Sequence, residues 1–258
     1  MRHSRFPMIV TAGMLLFFYL PILVLVLNSF NSSAFGGKWG GFSLRWYSML
    51  MGQKEIWRAL GNTLIIAFGA TFLSTVLGTT AAFALHRYQS RLQRAHYLLI
   101  YTPLVIPEIL TGMSLLMFFV AIGMQTGLLT IFIAHVTFCI SYTALVVLAR
   151  LQDFDWSVVE AARDLGASMW QTLYRVLLPM LLPGLMAAAL LAFTLSIDDF
   201  VISFFVAGPG STTLPIRIYS MIKHGYPPLV NVLSTLLLVV TFFTVWLSQR
   251  LVSSGDKK

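Results

Sequence analysis

The chain has 258 residues, of which 58% are hydrophobic and only 10% are charged. A soluble domain carries roughly 25% charged residues, so this composition, with a mean hydropathy of +0.83, excludes an ordinary soluble fold. The net charge of +8 would favour a nucleic-acid partner in a soluble protein. Here we expect no nucleic acid, because Lys and Arg gather in the cytoplasmic loops of membrane proteins.

Apolar residues fall in blocks of about 20, the length that crosses the hydrocarbon core of a bilayer. Six such blocks predict an all-α membrane protein with six transmembrane helices in a single domain, 1–258. No small-residue cleavage site follows the first block, which predicts a retained helix. Most of the 17 Lys and Arg then lie on the side of the termini, which places both termini in the cytoplasm. The blocks are about 8–28, 60–85, 97–121, 128–149, 180–206 and 229–249.

Small residues recur every four positions in the second and fifth blocks. Such stripes let helices approach closely in lipid and predict packing faces. The lone cysteine, Cys139, cannot form an internal disulfide and says nothing about redox compartment. The two stripes are Ala70, Ser74, Gly78 and Ala82, and Gly184, Ala188, Ala192 and Ser196.

Three carboxylates, Glu108, Asp198 and Asp199, lie inside the apolar blocks, where no Lys or Arg is available to pair with them. A charge at mid-membrane costs about 2.5–3.5 kcal/mol on the gentlest scale. Three arrangements would offset this cost. The carboxylate could face water in a cavity, it could bind a cationic passenger, or it could be protonated and bonded to a neighbouring Ser or Thr. On helical geometry, Asp199 returns to the small-residue face that carries Ser196. We expect these four residues to line a polar path for cations.

Aromatic side chains support such a path. Trp46, Tyr19 and Tyr219 lie near the outer half of the membrane in the predicted topology. An ammonium group near an aromatic face gains about 0.5–2 kcal/mol, although each ring is also suited to anchoring at the interface. His135 is predicted to form a hydrogen bond between helices and not to bind a ligand.

A long cytoplasmic segment, 150–179, contains the sequence EAARDLGASMWQTLYRVLLP. It predicts two short helices, with Gly166 at the left-handed end of the first. The second runs from about Ser168 to Leu178, and Pro179 ends it or opens the next span. An exposed apolar helix face should dock on its own bundle or on a partner. That predicted face consists of Met169, Trp170, Leu173 and Leu177.

This segment resembles the EAA loop of ABC importer permeases, through Glu160-Ala161-Ala162, Gly166 and Leu178-Pro179. The resemblance implies a type I ABC importer permease fold and a coupling loop that docks on an ATPase subunit. The chain has no G-x-x-x-x-G-K-[ST] stretch, so it is predicted not to be an enzyme or to bind a cofactor. ATP and magnesium would bind to the partner ATPase. The implied docking residues are Glu160, Ala161, Ala162, Gly166, Met169, Trp170, Leu173, Leu178 and Pro179.

Further stretches resemble the polyamine permeases of that class. The resemblance implies a permease subunit for putrescine or spermidine in the bacterial inner membrane. Its partners would be a second permease, two ATPase subunits, a periplasmic polyamine-binding protein and membrane lipid. Three alternatives remain: an ABC permease for another small solute, a proton-coupled secondary transporter that uses the carboxylates, and a subunit that contacts no substrate. The stretches are LNSFNSS, LRWYS, AHVTFC, EAARDLGAS, FTLSIDDFVISFFVAGPGSTTLP and VNVLSTL.

Overall fold

The protein is all-helical in the computed structural model, which describes residues 6–34, 38–88 and 91–255. Within these residues, β geometry is limited to one isolated antiparallel bridge between Asn31 and Phe42. The prediction of an all-α fold is confirmed. A π-helical turn, Leu173–Leu177, joins the eighth helix to the ninth. The helices are α1 (Phe6–Ser29), α2 (Arg45–Met51), α3 (Lys54–Arg87), α4 (Arg91–Val105), α5 (Glu108–Ala121), α6 (Leu128–Gln152), α7 (Ser157–Asp164), α8 (Met169–Thr172), α9 (Leu178–Asp198), α10 (Val201–Val206), α11 (Leu214–Lys223) and α12 (Pro227–Gly255).

Apolar helices of membrane-spanning length occur at most of the predicted positions. Among the described residues, four single helices qualify, and the bent pair Leu92–Val105 with Glu108–Ala121 makes a fifth candidate. The last predicted block, 229–249, lies in α12 (Pro227–Gly255), and Pro227–Phe243 within it is an apolar helix. The chain is therefore multi-pass, and the residues that the structure describes hold up to five candidate spans of full length, whereas six are predicted. The four single helices are Met8–Ser29, Lys54–Arg87, Leu128–Gln152 and Met169–Asp198.

The third predicted span, 97–121, is two helices, so the prediction of a single helix there is wrong. α4 ends at Val105, and α5 begins at Glu108 after a bend of 113°. Proline is the physical reason, because Pro107 has no N–H to donate and disfavours helical dihedrals at the residue before it. Pro107 is extended, with φ −54° and ψ 136°. Glu108 is consequently the first residue of a new helix.

The fifth predicted span, 180–206, is also broken. α9 ends at Asp198, Asp199 is extended with φ −64° and ψ 120°, and the short α10 begins at Val201. The sequence prediction continued one helix through both aspartates, so the helical geometry it assumed for Asp199 is wrong. Because of the break, the two neighbouring carboxylates have different surroundings.

One compact unit, Arg58–Ile216, is built around α6. This helix packs against α9, α4 and α10. The predicted small-residue stripes lie at close contacts: a Cβ at Gly78 would come within 2.0 Å of Thr143 Oγ1, and one at Gly184 within 2.8 Å of Arg150 Cγ. The prediction of packing faces is confirmed, since small residues permit this close approach. Their buried members are Ala70, Ser74, Gly78, Ala82, Ala188, Ala192 and Ser196.

The other compact unit consists of Met1–Trp57 with Arg217–Lys258. Within it, α12 packs against α1 and α2. The apolar window of α1 has none of its residues buried, and Phe17, for example, is 76% exposed. A helix that is apolar all round and contributes nothing to a core is suited to contact with lipid or with a membrane partner.

Candidate functional site

Two of the predicted path carboxylates are exposed within this chain. Asp198 is the last residue of α9, and Glu108 is the first residue of α5. Neither forms an ion pair with a described side chain. The helix N-terminus favours the negative charge of Glu108, while Asp198 has no such support at a helix C-terminus. Both carboxylates are free to accept hydrogen bonds from a cation.

Asp199 is buried and hydrogen-bonded, in contrast to Asp198. Its side chain is 5% exposed, and its Oδ2 lies 3.2 Å from Nε2 of His135, which is 1% exposed. Oδ1 accepts the backbone N–H of Ile202 at 3.2 Å, and Oδ2 accepts that of Ser203 at 2.8 Å. Asp199 therefore satisfies two otherwise unpaired amides in the first turn of α10.

His135 connects three helices through the same network. Its Nδ1 lies 2.7 Å from the hydroxyl of Ser196 on α9, and its Nε2 lies 2.9 Å from that of Ser203 on α10. His135 itself belongs to α6, so the prediction of an interhelical hydrogen-bonding residue is confirmed. Ser203 was missed by sequence reasoning, although its position four residues after Asp199 matches an amide that a carboxylate can reach at the start of a helix.

The three predicted aromatic residues belong to the unit Met1–Trp57 with Arg217–Lys258. Trp46 is 8% exposed, and its indole N–H donates to the backbone oxygen of Asn31 at 2.8 Å. The guanidinium carbon of Arg45 lies 4.0 Å from the centroid of the Trp46 ring. Trp46 thus already has a polar partner and a cation on its ring. Tyr19 and Tyr219 are 59% and 45% exposed.

The first helix of the segment 150–179, which we call the coupling loop, ends as predicted. Gly166 has φ +85°, a left-handed conformation that favours glycine. The Gly166 N–H donates to Arg163 O at 2.9 Å, and the Ala167 N–H donates to Ala162 O at 3.1 Å. These two bonds form a Schellman motif, which satisfies carbonyls at the helix end.

The second helix begins as predicted but does not end there. Ser168 caps α8 by accepting the Gln171 N–H at 3.3 Å, while Gln171 Oε1 accepts the Ser168 N–H at 2.8 Å. Of the two predicted roles of Pro179, it does not end the helical run, which continues from Met169 to Asp198, but it lies in the first turn of α9 and so opens the next span. Pro179 cannot donate to a carbonyl, and the π-helical turn absorbs this, with the Leu178 N–H bonded to Leu173 O.

The predicted apolar face of the coupling loop divides into an exposed and a half-buried part. Met169 and Trp170 are 76% and 68% exposed, whereas Leu173 and Leu177 are half-buried, and Leu177 packs against buried core residues. Leu165 and Tyr174, which sequence reasoning missed, are also exposed. The Trp170 and Tyr174 rings stack with centroids 6.0 Å apart. Their spacing of four residues was the signal in the sequence.

The remaining predicted docking residues differ in exposure. Glu160 and Ala161 are exposed, Ala162 and Leu178 are half-buried, and Pro179 is exposed. The coupling loop and the end of α3 enclose a groove of about 700 Å³. The rings of His86 and Trp156 stack at 5.2 Å in its wall. No group of three or more His, Cys, Asp or Glu among the described residues is placed to hold a metal ion.

The geometry defines a class of protein. The fold matches a chain of a solved bacterial ABC transporter involved in the import of the acidic polysaccharide alginate, with a TM-score of 0.72 and 18% identity. The match covers 97% of this chain and 98% of that one. The chain therefore has the fold of that transporter chain.

Sequence comparison identifies the family. Residues 74–253 match the family model described as a binding-protein-dependent transport system inner membrane component, and the chain belongs to this family. It is 41% identical to the spermidine/putrescine transport system permease protein PotC of Escherichia coli K12, over 93% of this chain and 91% of that one. The putrescine transport system permease protein PotI of the same strain is also 41% identical, over 94% and 89%. The prediction of a transport permease, and not an enzyme, is confirmed.

Proposed function

We propose that this chain is a transmembrane permease subunit of an ATP-driven importer that moves the polyamines putrescine and spermidine across the bacterial inner membrane. The observation that carries the proposal is its 41% identity, over 93% of its length, to a permease of a spermidine/putrescine transport system. The fold does not indicate which solute is transported, because the solved transporter with a similar fold is involved in the import of an acidic polysaccharide. The cargo must therefore be argued from side chains.

Asp198 and Glu108 provide acceptors for ammonium groups in this proposal. Both are exposed and lie in apolar blocks without Lys or Arg, where a cation would be the natural partner of a carboxylate. Ser196 and Asp199 are close to Asp198 in the sequence and belong to the predicted path, to which Tyr19, Tyr219 and Trp46 would add aromatic faces. The path should bind weakly, because a deep trap would slow release of the cargo.

The coupling loop supplies the contact with the ATPase subunit. Its exposed Leu165, Met169, Trp170 and Tyr174 form an apolar surface of the kind that a partner covers. From Met169, 30 residues continue as one helix to Asp198, a length of about 45 Å. A displacement of the loop by ATP binding at the partner would be transmitted along this helix to the carboxylate.

The remaining parts of the proposal concern assembly and orientation. Both termini face the cytoplasm, so that the coupling loop meets one of the two ATPase subunits, which hold ATP and magnesium. A second permease completes the path, and a periplasmic polyamine-binding protein delivers the cargo. The positive-inside rule supports the orientation. The relatives' place in binding-protein-dependent systems supports the partners.

The test is ATP-dependent uptake of labelled putrescine and spermidine by vesicles that contain the complete complex. Wild type should accumulate polyamine, and Asp198→Asn and Glu108→Gln should each lower uptake at sub-saturating cargo by about tenfold, which corresponds to the loss of about 1.4 kcal/mol of binding free energy. The control is Asp153→Asn, an exposed carboxylate of the coupling loop that is not among the predicted docking residues, and the ATPase activity of the complex is measured to show that coupling is intact. ATP-driven uptake of another solute without polyamine uptake would contradict the cargo. Uptake driven by a proton gradient without ATP would contradict the class.

A further inference from the structure

Asp198 and Asp199 differ in their capacity to meet a cation. An ionised carboxylate has about four acceptor positions. Asp199 uses three of them, for the N–H groups of Ile202 and Ser203 and for Nε2 of His135. Asp198 is exposed, and none of its acceptor positions is used in an ion pair with a described side chain.

The hydrogen-bond chemistry also fixes the proton of His135. A carboxylate only accepts, so the His135 nitrogen that faces Asp199, Nε2, must carry a hydrogen. Nδ1 lies 2.7 Å from the hydroxyl of Ser196, which can donate or accept in that bond. The imidazole thereby holds the last turn of α9 and the first turn of α10 to α6.

We propose that His135 and Asp199 are positioning residues, which fix the break between α9 and α10 so that Asp198 alone meets the cationic cargo. This inference rests on the proposed polyamine function. Turning Asp199 towards a cation would leave two backbone amides and an imidazole N–H unpaired in a buried place, which is unfavourable. Asp198 can bind and release a cation without disturbing any of these bonds.

The variants that separate the two roles are conservative. Asp199→Asn keeps one oxygen, which can accept the N–H groups of Ser203 and His135, while its NH₂ group takes the place of Oδ1 and leaves the Ile202 N–H without that acceptor. His135→Gln keeps an N–H donor that can reach Asp199. Asp198→Asn removes the charge at the exposed position and leaves the network intact.

The first measurement is the kinetics of ATP-dependent spermidine uptake by the reconstituted complex. We expect Asp198→Asn to raise KM about tenfold or more with little change in maximal rate, as for lost binding alone. Asp199→Asn and His135→Gln should change KM less than about threefold, because neither side chain contacts the cargo in this proposal. A rise in KM for Asp199→Asn equal to that for Asp198→Asn, with His135→Gln unchanged, would overturn the inference and make Asp199 a direct cargo contact.

A second measurement does not depend on transport. Asp198→Cys should react with a small cationic thiol reagent, and Asp199→Cys should not, in complexes of equal stability. Cys139 is fully buried and gives a low background. Equal labelling at the two positions would contradict the positioning role. If wild type transports no polyamine, the proposed cargo is wrong. The labelling result would still show whether position 199 is inaccessible to a cation from outside the network.

Discussion

The α9–α10 break and the coupling loop depart from the usual distribution of side chains in opposite ways. At the break, the polar side chains of His135, Ser196 and Asp199 are buried and bonded to one another. In the coupling loop, the large apolar side chains of Met169 and Trp170 are exposed. A satisfied buried network fixes the geometry of the chain itself, whereas an exposed apolar face requires a partner. Substitutions at the break should therefore affect folding, and those in the loop should affect assembly.

The largest expected effect on folding is that of His135→Leu. The substitution leaves Asp199, Ser196 and Ser203 without their shared partner in a buried site, and removing one member of a buried pair costs about 3–5 kcal/mol. Thermal or denaturant unfolding of the purified protein measures it. The control is Thr137→Val, on the exposed side of α6, where the hydroxyl bonds only within its helix. Equal stability of the two variants would contradict an organising role for His135.

Trp170→Ala tests the expectation that substitutions in the coupling loop affect assembly and not folding. As a large exposed aromatic residue at a docking surface, Trp170 should contribute about 2 kcal/mol or more to binding of the ATPase subunit. Unfolding of the chain alone should change by less than about 0.5 kcal/mol. Binding of the purified ATPase measures the first quantity. Leu99→Ala, at a residue of α4 that is 71% exposed, is the control and should leave ATPase binding unchanged.

Gly78→Ala separates packing effects from those of the polar network. The added Cβ would lie 2.0 Å from Thr143 Oγ1 and 2.9 Å from the backbone N of Ala144, and overpacking of this kind costs about 1–3 kcal/mol. Gly61→Ala is a matched control in the same helix, because a Cβ there has nothing within 4 Å. Unfolding measurements should show a loss for the first variant and none for the second.

The smallest effect is a pH dependence at the start of α7. Hydrogen bonds from the Ser157 hydroxyl and backbone N–H hold the pKa of Asp155 below its usual value. A depressed folded pKa stabilises the fold above the unfolded pKa, and this contribution is lost as the pH falls through the folded pKa. Asp155 is fully exposed, so solvent screening keeps the contribution small. Ser157→Ala should raise the pKa of Asp155, as measured by carboxyl-carbon NMR, and an unchanged pKa would contradict this.

Features with local signals were predictable from the sequence, and those that depend on distant residues were not. Gly166 and Ser168 end and begin helices through bonds to near neighbours, so their roles could be predicted. Pro107 also gives a local signal, which predicts a disturbed helix within the span 97–121, but the size of the bend does not follow from that signal. The break at Asp199 has no such signal, because it depends on a histidine that lies 61 residues before Ser196.

The exposed first helix has a consequence for tolerance of substitution. From Met8 to Val24, every residue of α1 is exposed, so no single side chain is needed to fill a cavity in this chain. Exchanges among Leu, Ile, Val, Met and Phe there should leave folding unaffected, provided that the stretch stays apolar enough for the bilayer. In α1 only the total hydropathy of the helix is constrained, whereas at position 135 the side chain itself must be histidine.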